Sequence, residues 1–243
     1  MDTTRMKVLV VGATGGSGRA AVAHLLAAGH EVTAFSRHAD RIETRSERLR
    51  FINGDAMNPE DVDQAVRGHD AVVVTLGITE NPLKVRLLGP AHTPLDVRSA
   101  GTRNVISAMR KHGVRKLVVQ TTYGVGETRG RLAFVDRLFF KLILKPQISD
   151  TQKQNDEVYE SGLDWVIVQP VHLTDGTDDE EPWTSTTGET AKMKISRNSV
   201  GRFLAAAVES QTFVGKSVAL SSALAPSAAL NRRDQASPRR QRV

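Results

Sequence analysis

The sequence contains no cysteine, which excludes disulfides, thiolate metal sites and cysteine nucleophiles and leaves nothing that points to an oxidising compartment. It also lacks an apolar run of membrane-spanning length, and no long apolar signal-type core stands between Met1 and the strand-like Met6-Lys7-Val8-Leu9-Val10-Val11. These absences predict a cytoplasmic protein that engages no membrane. Charge of one sign is in excess, at a formal net of +6, but most of it lies in one place. Residues 222–243 carry Arg232, Arg233, Arg239, Arg240 and Arg242 against Asp234 alone. That segment is rich in Ser, Ala and Pro and has no aromatic ring for stacking on bases, so it reads as a solvated, disordered tail and not as a nucleic-acid arm. No metal site is expected, and a monomer is the default because no exposed apolar stripe stands out.

What remains is ordinary globular material, 40% hydrophobic and 25% charged over 243 residues, enough to bury one core. One folded domain over residues 1–221 is expected. Short β-branched runs alternate with amphipathic stretches, the pattern of β-α-β units in a parallel sheet. Strands are expected at Lys7–Val11, Glu31–Phe35, Leu49–Ile52, Ala71–Thr75, Lys116–Gln120 and Trp165–Gln169. Val72-Val73-Val74 and Val166-Ile167-Val168 are continuous apolar runs, as required of strands covered on both faces. Helices are expected at Ser17–Ala28, Pro59–Arg67, Pro94–Lys111 and Thr151–Ser161. Gly29, Gly113 and Gly162 follow three of them, where a left-handed cap suits glycine. Beyond Gln169 the rhythm changes to a loop over Pro170–Gly188, a strand at Lys192–Ser196, a helix at Ser199–Val208 and a last strand at Ser217–Leu220. The fold class is therefore α/β, a doubly wound parallel sheet of Rossmann type in three layers, with small substrate-side elements near the C-terminus.

The strongest chemical signal is Gly12-Ala13-Thr14-Gly15-Gly16-Ser17-Gly18, placed between the first strand and the first helix. In that context Gly12 permits a tight turn, Gly15 lets the backbone approach a pyrophosphate, and Gly18 allows the helix to pack closely on the strand. The helix N-terminus then faces the anion, and Thr14, Gly16 and Ser17 join the cradle. NAD-preferring domains carry an acid at the end of the second strand. Here the chain reads Ser36-Arg37, with Arg41 four residues on. A guanidinium and a hydroxyl suit a 2′-phosphate, so NADP(H) is the expected cofactor. Asp55 and Ala56 after the third strand, and Leu76 and Gly77 after the fourth, fall on the carboxyl edge where such sheets bind ligands.

These residues, with Asn53-Gly54-Asp55, Gly101-Thr102-Arg103-Asn104-Val105-Ile106, Glu160-Ser161-Gly162-Leu163, Pro170-Val171-His172 and Ile195-Ser196-Arg197, give a chain that over residues 6–221 resembles the atypical short-chain dehydrogenase/reductases, in particular the biliverdin reductase B and flavin reductase type. The resemblance implies that Asp55 flanks the adenine, that Thr121 and Pro170 border the cofactor, and that His172 lies near the substrate beside the nicotinamide. Imidazole titrates near neutrality and can supply the proton that accompanies hydride transfer. Thr122 matches the hydroxyl that closes the fifth strand in the superfamily. The Tyr-x-x-x-Lys couple of standard members is missing: Tyr123 is followed at four residues by Glu127, and Tyr159 by Leu163. Lys153, in Ser149-x-x-x-Lys153, is the candidate for a ribose-binding lysine without its tyrosine. The expected function is NADPH-dependent reduction of a conjugated small molecule such as a flavin, quinone or tetrapyrrole-like compound. A non-catalytic NADP sensor resembling the NmrA-like regulators, or an epimerase or ketoreductase, are the alternatives.

Overall fold

The computed structural model describes residues 5–78, 93–131, 145–176 and 180–224. Its strands are β1 (Lys7–Val11), β2 (Glu31–Ser36), β3 (Leu49–Asn53), β4 (Ala71–Val74), β5 (Lys116–Gln120), β6 (Asp164–Pro170), β7 (His172–Thr174), β8 (Trp183–Ser185), β9 (Lys194–Ser196) and β10 (Lys216–Ser221). The helices are α1 (Gly16–Ala27), α2 (Pro59–Val66), α3 (Val97–His112), α4 (Lys145–Tyr159) and α5 (Arg197–Glu209). One sheet runs β3-β2-β1-β4-β5-β6-β10-β8, parallel except for β8, which pairs antiparallel with β10 at the edge. β7 and β9 form a small parallel pair of their own.

Alternation along each strand decides which helix it meets. Val8 and Val10 join Val73, Val118, Val166 and Val218 under α1 and α5, while Leu9 and Val11 join Val72, Val74, Leu117 and Ile167 under α2, α3 and α4. Both faces are dry, so no polar alternation is left in the sequence. Val72, Val73 and Val74 are wholly buried, each contributing about 1.5–3 kcal/mol relative to exposure.

Local chemistry sets the helix ends. Asn58 caps α2 by accepting from the Glu60 amide at 3.0 Å, with Pro59 at the first helical position. Ser196 caps α5 through the Ser199 amide at 3.0 Å. α4 begins at Lys145, six residues before the expected Thr151. Asp150, which stands just before the expected start, serves another helix: its carboxylate accepts from the Arg98 and Ser99 amides at 3.0 and 3.2 Å and from Ser99 Oγ at 2.5 Å. It thus supplies the cap of α3 that Asp96 does not make. The expected loop over Pro170–Gly188 holds two strands, β7 and β8, each three residues long. A run that short shows no period, and β7 exists only through its partner β9.

Because β1 to β6 run parallel, the chain leaves Val11, Ser36, Asn53, Val74, Gln120 and Pro170 on one edge. From β1 through β4 and β5 to β6 is three strand spacings, about 14 Å. The last strand ends at Ser221. The expected tail lies outside the described residues beyond Leu224. Among the described residues no helix is long and apolar enough to cross a membrane, and no group of three His, Asp or Glu side chains could hold a metal ion.

Candidate cofactor and active site

The glycine loop is held on three sides by backbone. Gly12, at φ +85°, donates its amide to Phe35 O at 3.0 Å, and Ala13 donates to the same oxygen at 3.3 Å. Thr75 Oγ1 donates to Val11 O at 3.1 Å and to Gly12 O at 3.2 Å, tying the loop to the end of β4. A Cβ on Gly12 would stand 2.9 Å from Thr75 O, and one on Gly18 would overlap Gly12 O and stand 2.9 Å from Ala13 Cα. These two glycines are demanded by the protein itself. Gly15 is different: a Cβ there meets only Gly12 O, at 3.4 Å.

Gly15 is also the N-cap of α1, with no side-chain cap and no acidic residue in the first turn. The positive end of a twelve-residue helix therefore points into the loop with no side-chain cap and no carboxylate in its first turn. Such a cradle fits a diphosphate: the Gly15 amide is taken by Gly12 O at 3.1 Å, so the donors left to an anion are those of the first turn of α1, beside the one loop glycine with room for it. Thr14 sits at the rim, where its carbonyl accepts from Arg19 Nε at 2.9 Å, and Ser17 is buried beneath.

At the end of β2, Ser36 is buried and Arg37 exposed. Ser36 Oγ accepts from the His38 amide at 3.4 Å, and Arg37 Nη2 donates to Thr93 Oγ1 at 3.3 Å. Asp55 is exposed and shapes its own turn, accepting from the Met57 amide at 2.9 Å while its amide donates to Asp61 Oδ2 at 2.9 Å. Ala56 and Leu76 lend carbonyls to α3: Ala56 O accepts from Asn104 Nδ2 and Leu76 O from Arg98 Nη1, both at 2.9 Å. Arg98 is a residue that motif reading missed. It lies beneath the turn after β4, where a Cβ on Gly77 would stand 3.0 Å from its Nη2. Burial pulls its guanidinium below the ordinary value, and Asp150 opposes that shift. Only the two neighbouring carbonyl-bearing glycine and leucine positions were legible; the arginine that supports them lies 22 residues on.

Thr121 and Thr122 follow β5. The Thr121 amide donates to Val168 O at 2.8 Å, and its buried hydroxyl has no hydrogen-bond partner among the described residues. Thr122 is partly exposed. Tyr123 is buried, donates its hydroxyl to Gly188 O at 2.9 Å, and has a phenol pushed above its ordinary value by burial. Its amide donates to Pro170 O at 3.0 Å, which joins the ends of β5 and β6. His172, two residues past Pro170, is exposed and opens β7 opposite Lys194. Lys153 is exposed on α4, whose buried face is formed by Thr151, Gln154, Asn155 and Val158. The carboxyl edge thus gathers the glycine loop, Ser36-Arg37, Leu76-Gly77, Thr121-Thr122 and Pro170-His172, while Lys153 faces solvent.

Comparison with known proteins agrees with this geometry. The family model described as NAD(P)H-binding matches residues 12–211. A 2-alkyl-3-oxoalkanoate reductase of Stenotrophomonas maltophilia is 36% identical over 121 residues, which is 49% of this chain and 34% of that protein; the chain spans about a third of the length of this curated relative. Among solved structures, a wide-type short-chain dehydrogenase/reductase of Veillonella parvula in complex with NADP superposes with a TM-score of 0.71 at 16% identity, covering 88% of this chain and 94% of that one. An anaerobilin reductase of Escherichia coli O157:H7 gives 0.70 at 20% identity, covering 88% and 96%. At those identities the likeness is one of fold. The glycine loop, the doubly wound sheet and a match over most of the chain together mean that this protein belongs to the NAD(P)H-binding family.

Proposed function

We propose that the protein is an NADPH-dependent reductase that passes hydride to a flat, conjugated acceptor such as a flavin, a quinone or a tetrapyrrole-like compound. The observation that carries this reading is the state of its tyrosine. Tyr123, the one phenol at the end of β5, spends its hydroxyl on Gly188 O and is shifted away from neutrality. It has no lysine partner of the usual spacing to reverse that shift. Conjugated acceptors form stable reduced states and do not call for a tyrosine acid, so they suit a site whose phenol is so weak a proton donor.

In this reading the backbone amides of Gly16 and Ser17 hold the diphosphate, with Gly12, Thr14, Gly15 and Gly18 shaping the loop. Arg37 and Ser36 select the 2′-phosphate and hence NADPH over NADH. Asp55 and Ala56 border the adenine, and Leu76, Gly77 and Pro170 the remainder of the dinucleotide. The bound nicotinamide supplies the hydride. Thr121, whose hydroxyl is buried with no partner among the described residues, bonds an amide brought to the end of β5, and Thr122 faces the acceptor. His172 delivers the proton at its ring nitrogen. Lys153 has the least support, since its ammonium stands in solvent.

The anaerobilin reductase among the fold neighbours accords with a tetrapyrrole-like acceptor. A second reading, carbonyl reduction, is favoured by the stretch shared with the 2-alkyl-3-oxoalkanoate reductase. Purified protein with NADPH, assayed against FMN, FAD, riboflavin, quinones, a linear tetrapyrrole and a β-keto acid, separates the two. Turnover of the planar compounds alone is expected. Turnover of the keto acid alone would replace the proposal with the second reading, and cofactor binding without any turnover would replace it with a sensor.

A further inference from the structure

Gly16 has a neighbour that the glycine motif does not foretell. A Cβ at this position would overlap Arg197 Cδ and stand 3.0 Å from its Nε. The arginine comes from 181 positions later in the chain, as the first residue of α5, and its aliphatic stem lies across the first residue of α1. The helix N-terminus that receives the diphosphate is therefore flanked by a guanidinium. That guanidinium bonds Asp175, which follows β7; the Asp175 side chain is 89% exposed and that of Arg197 33%.

An ion pair to a carboxylate so far in water holds weakly, because solvent screens it and ordering the side chains opposes it. A diphosphate at the mouth of α1 carries more charge, sits where water is partly excluded, and presents oxygens suited to the planar fork of arginine. Resting on the reading that this loop binds NAD(P)H, we propose that Arg197 is a movable clamp on the cofactor's diphosphate, which Asp175 holds and yields. Gly16 then has an assignment separate from its neighbours. Gly15 leaves room for the ligand, and Gly16 leaves room for the arm of the clamp. Asp175 stands one residue beyond β7, the strand that begins with His172, so exchange of partner by Arg197 also removes one tie between the acceptor-side loop and α5, while Ser199 Oγ on Glu180 O and Arg202 on Glu181 remain.

Calorimetric titration of the full chain with NADPH and with NADH tests this. Arg197→Met keeps the stem over Gly16 and removes the charge. It should weaken both nucleotides by the same factor, about ten- to a hundredfold as expected for loss of a charge-assisted pair, and Arg197→Lys should restore part of the loss. Asp175→Asn removes the competitor and should tighten both by up to about fivefold, an effect that disappears in the Arg197→Met background. Melting temperatures within a few degrees of the parent identify folded variants. Unchanged affinity in Arg197→Met, or no gain in Asp175→Asn, overturns the clamp. Failure of the parent protein to bind either nucleotide removes the cofactor reading instead.

Discussion

The two halves of the sheet are built by different means. From β1 to β4 the site is backbone: Gly12, Ala13, Thr75 and Phe35 close a set of short main-chain bonds, and Gly12 and Gly18 are fixed by contacts with backbone atoms. From β5 to β6 it is side chain. Gln120, Thr121, Gln154, Asn155 and Gln169, all on β5, α4 and β6 or directly after them, hold buried polar atoms without partners among the described residues. Buried polar atoms are normally satisfied, by protein or by ordered water. Among the described residues the β1 to β4 half leaves fewer such atoms, Arg98 Nε beneath the Leu76 turn being one, and under the proposed function the β5 to β6 half is the one that other molecules complete.

The contrast is broken most severely at the glycines. Gly18→Ala forces a methyl against Gly12 O and Ala13 Cα, so stability in urea should fall by about 1–3 kcal/mol and NADPH binding should be lost with it. Gly15→Ala meets only Gly12 O, at 3.4 Å, and should leave the urea midpoint unchanged while abolishing binding in titration. If both lose stability alike, the distinction between a glycine kept for the fold and one kept for the ligand fails. Next comes the acceptor side: His172→Ala should lower kcat by about a hundredfold with NADPH affinity intact, and unchanged turnover would make the imidazole structural. On the nucleotide side, Arg37→Ala should raise KM for NADPH about tenfold and leave KM for NADH where it was; equal changes would remove the 2′-phosphate assignment. The smallest effect is expected at Tyr123→Phe, which strands the carbonyl of Gly188 and should cost about 1–2 kcal/mol of stability with kcat preserved. Loss of turnover without loss of stability would restore the tyrosine as the acid.

The same contrast explains what could be read from the amino-acid order. Lys7–Val11 and Lys116–Gln120 were legible to the residue because strands buried on both faces are unbroken apolar runs bounded by turns. The caps at Gly29, Gly113 and Gly162 announced themselves as glycines and take positive φ. The carboxyl edge followed from parallel topology alone. What escaped depends on residues far apart in sequence. Asp150 caps a helix that begins at Val97, Arg98 supports the turn at Leu76, and β7 is a strand only because Lys194–Ser196 lies beside it. No local pattern encodes such contacts, since each is settled by packing after the helices have docked. Lys153 illustrates the converse: its spacing from Ser149 imitates a functional pair, yet helix phase turns it toward water.

The packing of α1 on α5 has a mechanical side. A Cβ on Gly201 would stand 2.6 Å from the carbonyl carbon of Ala20 and 2.7 Å from the amide nitrogen of Ala21, so the two cylinders touch main chain to main chain. At that crossing nothing longer than the Ala20 methyl stands between them to absorb a tilt. A rotation of the later helix therefore reaches the earlier one at this crossing, and with it the glycine bend from which that helix starts.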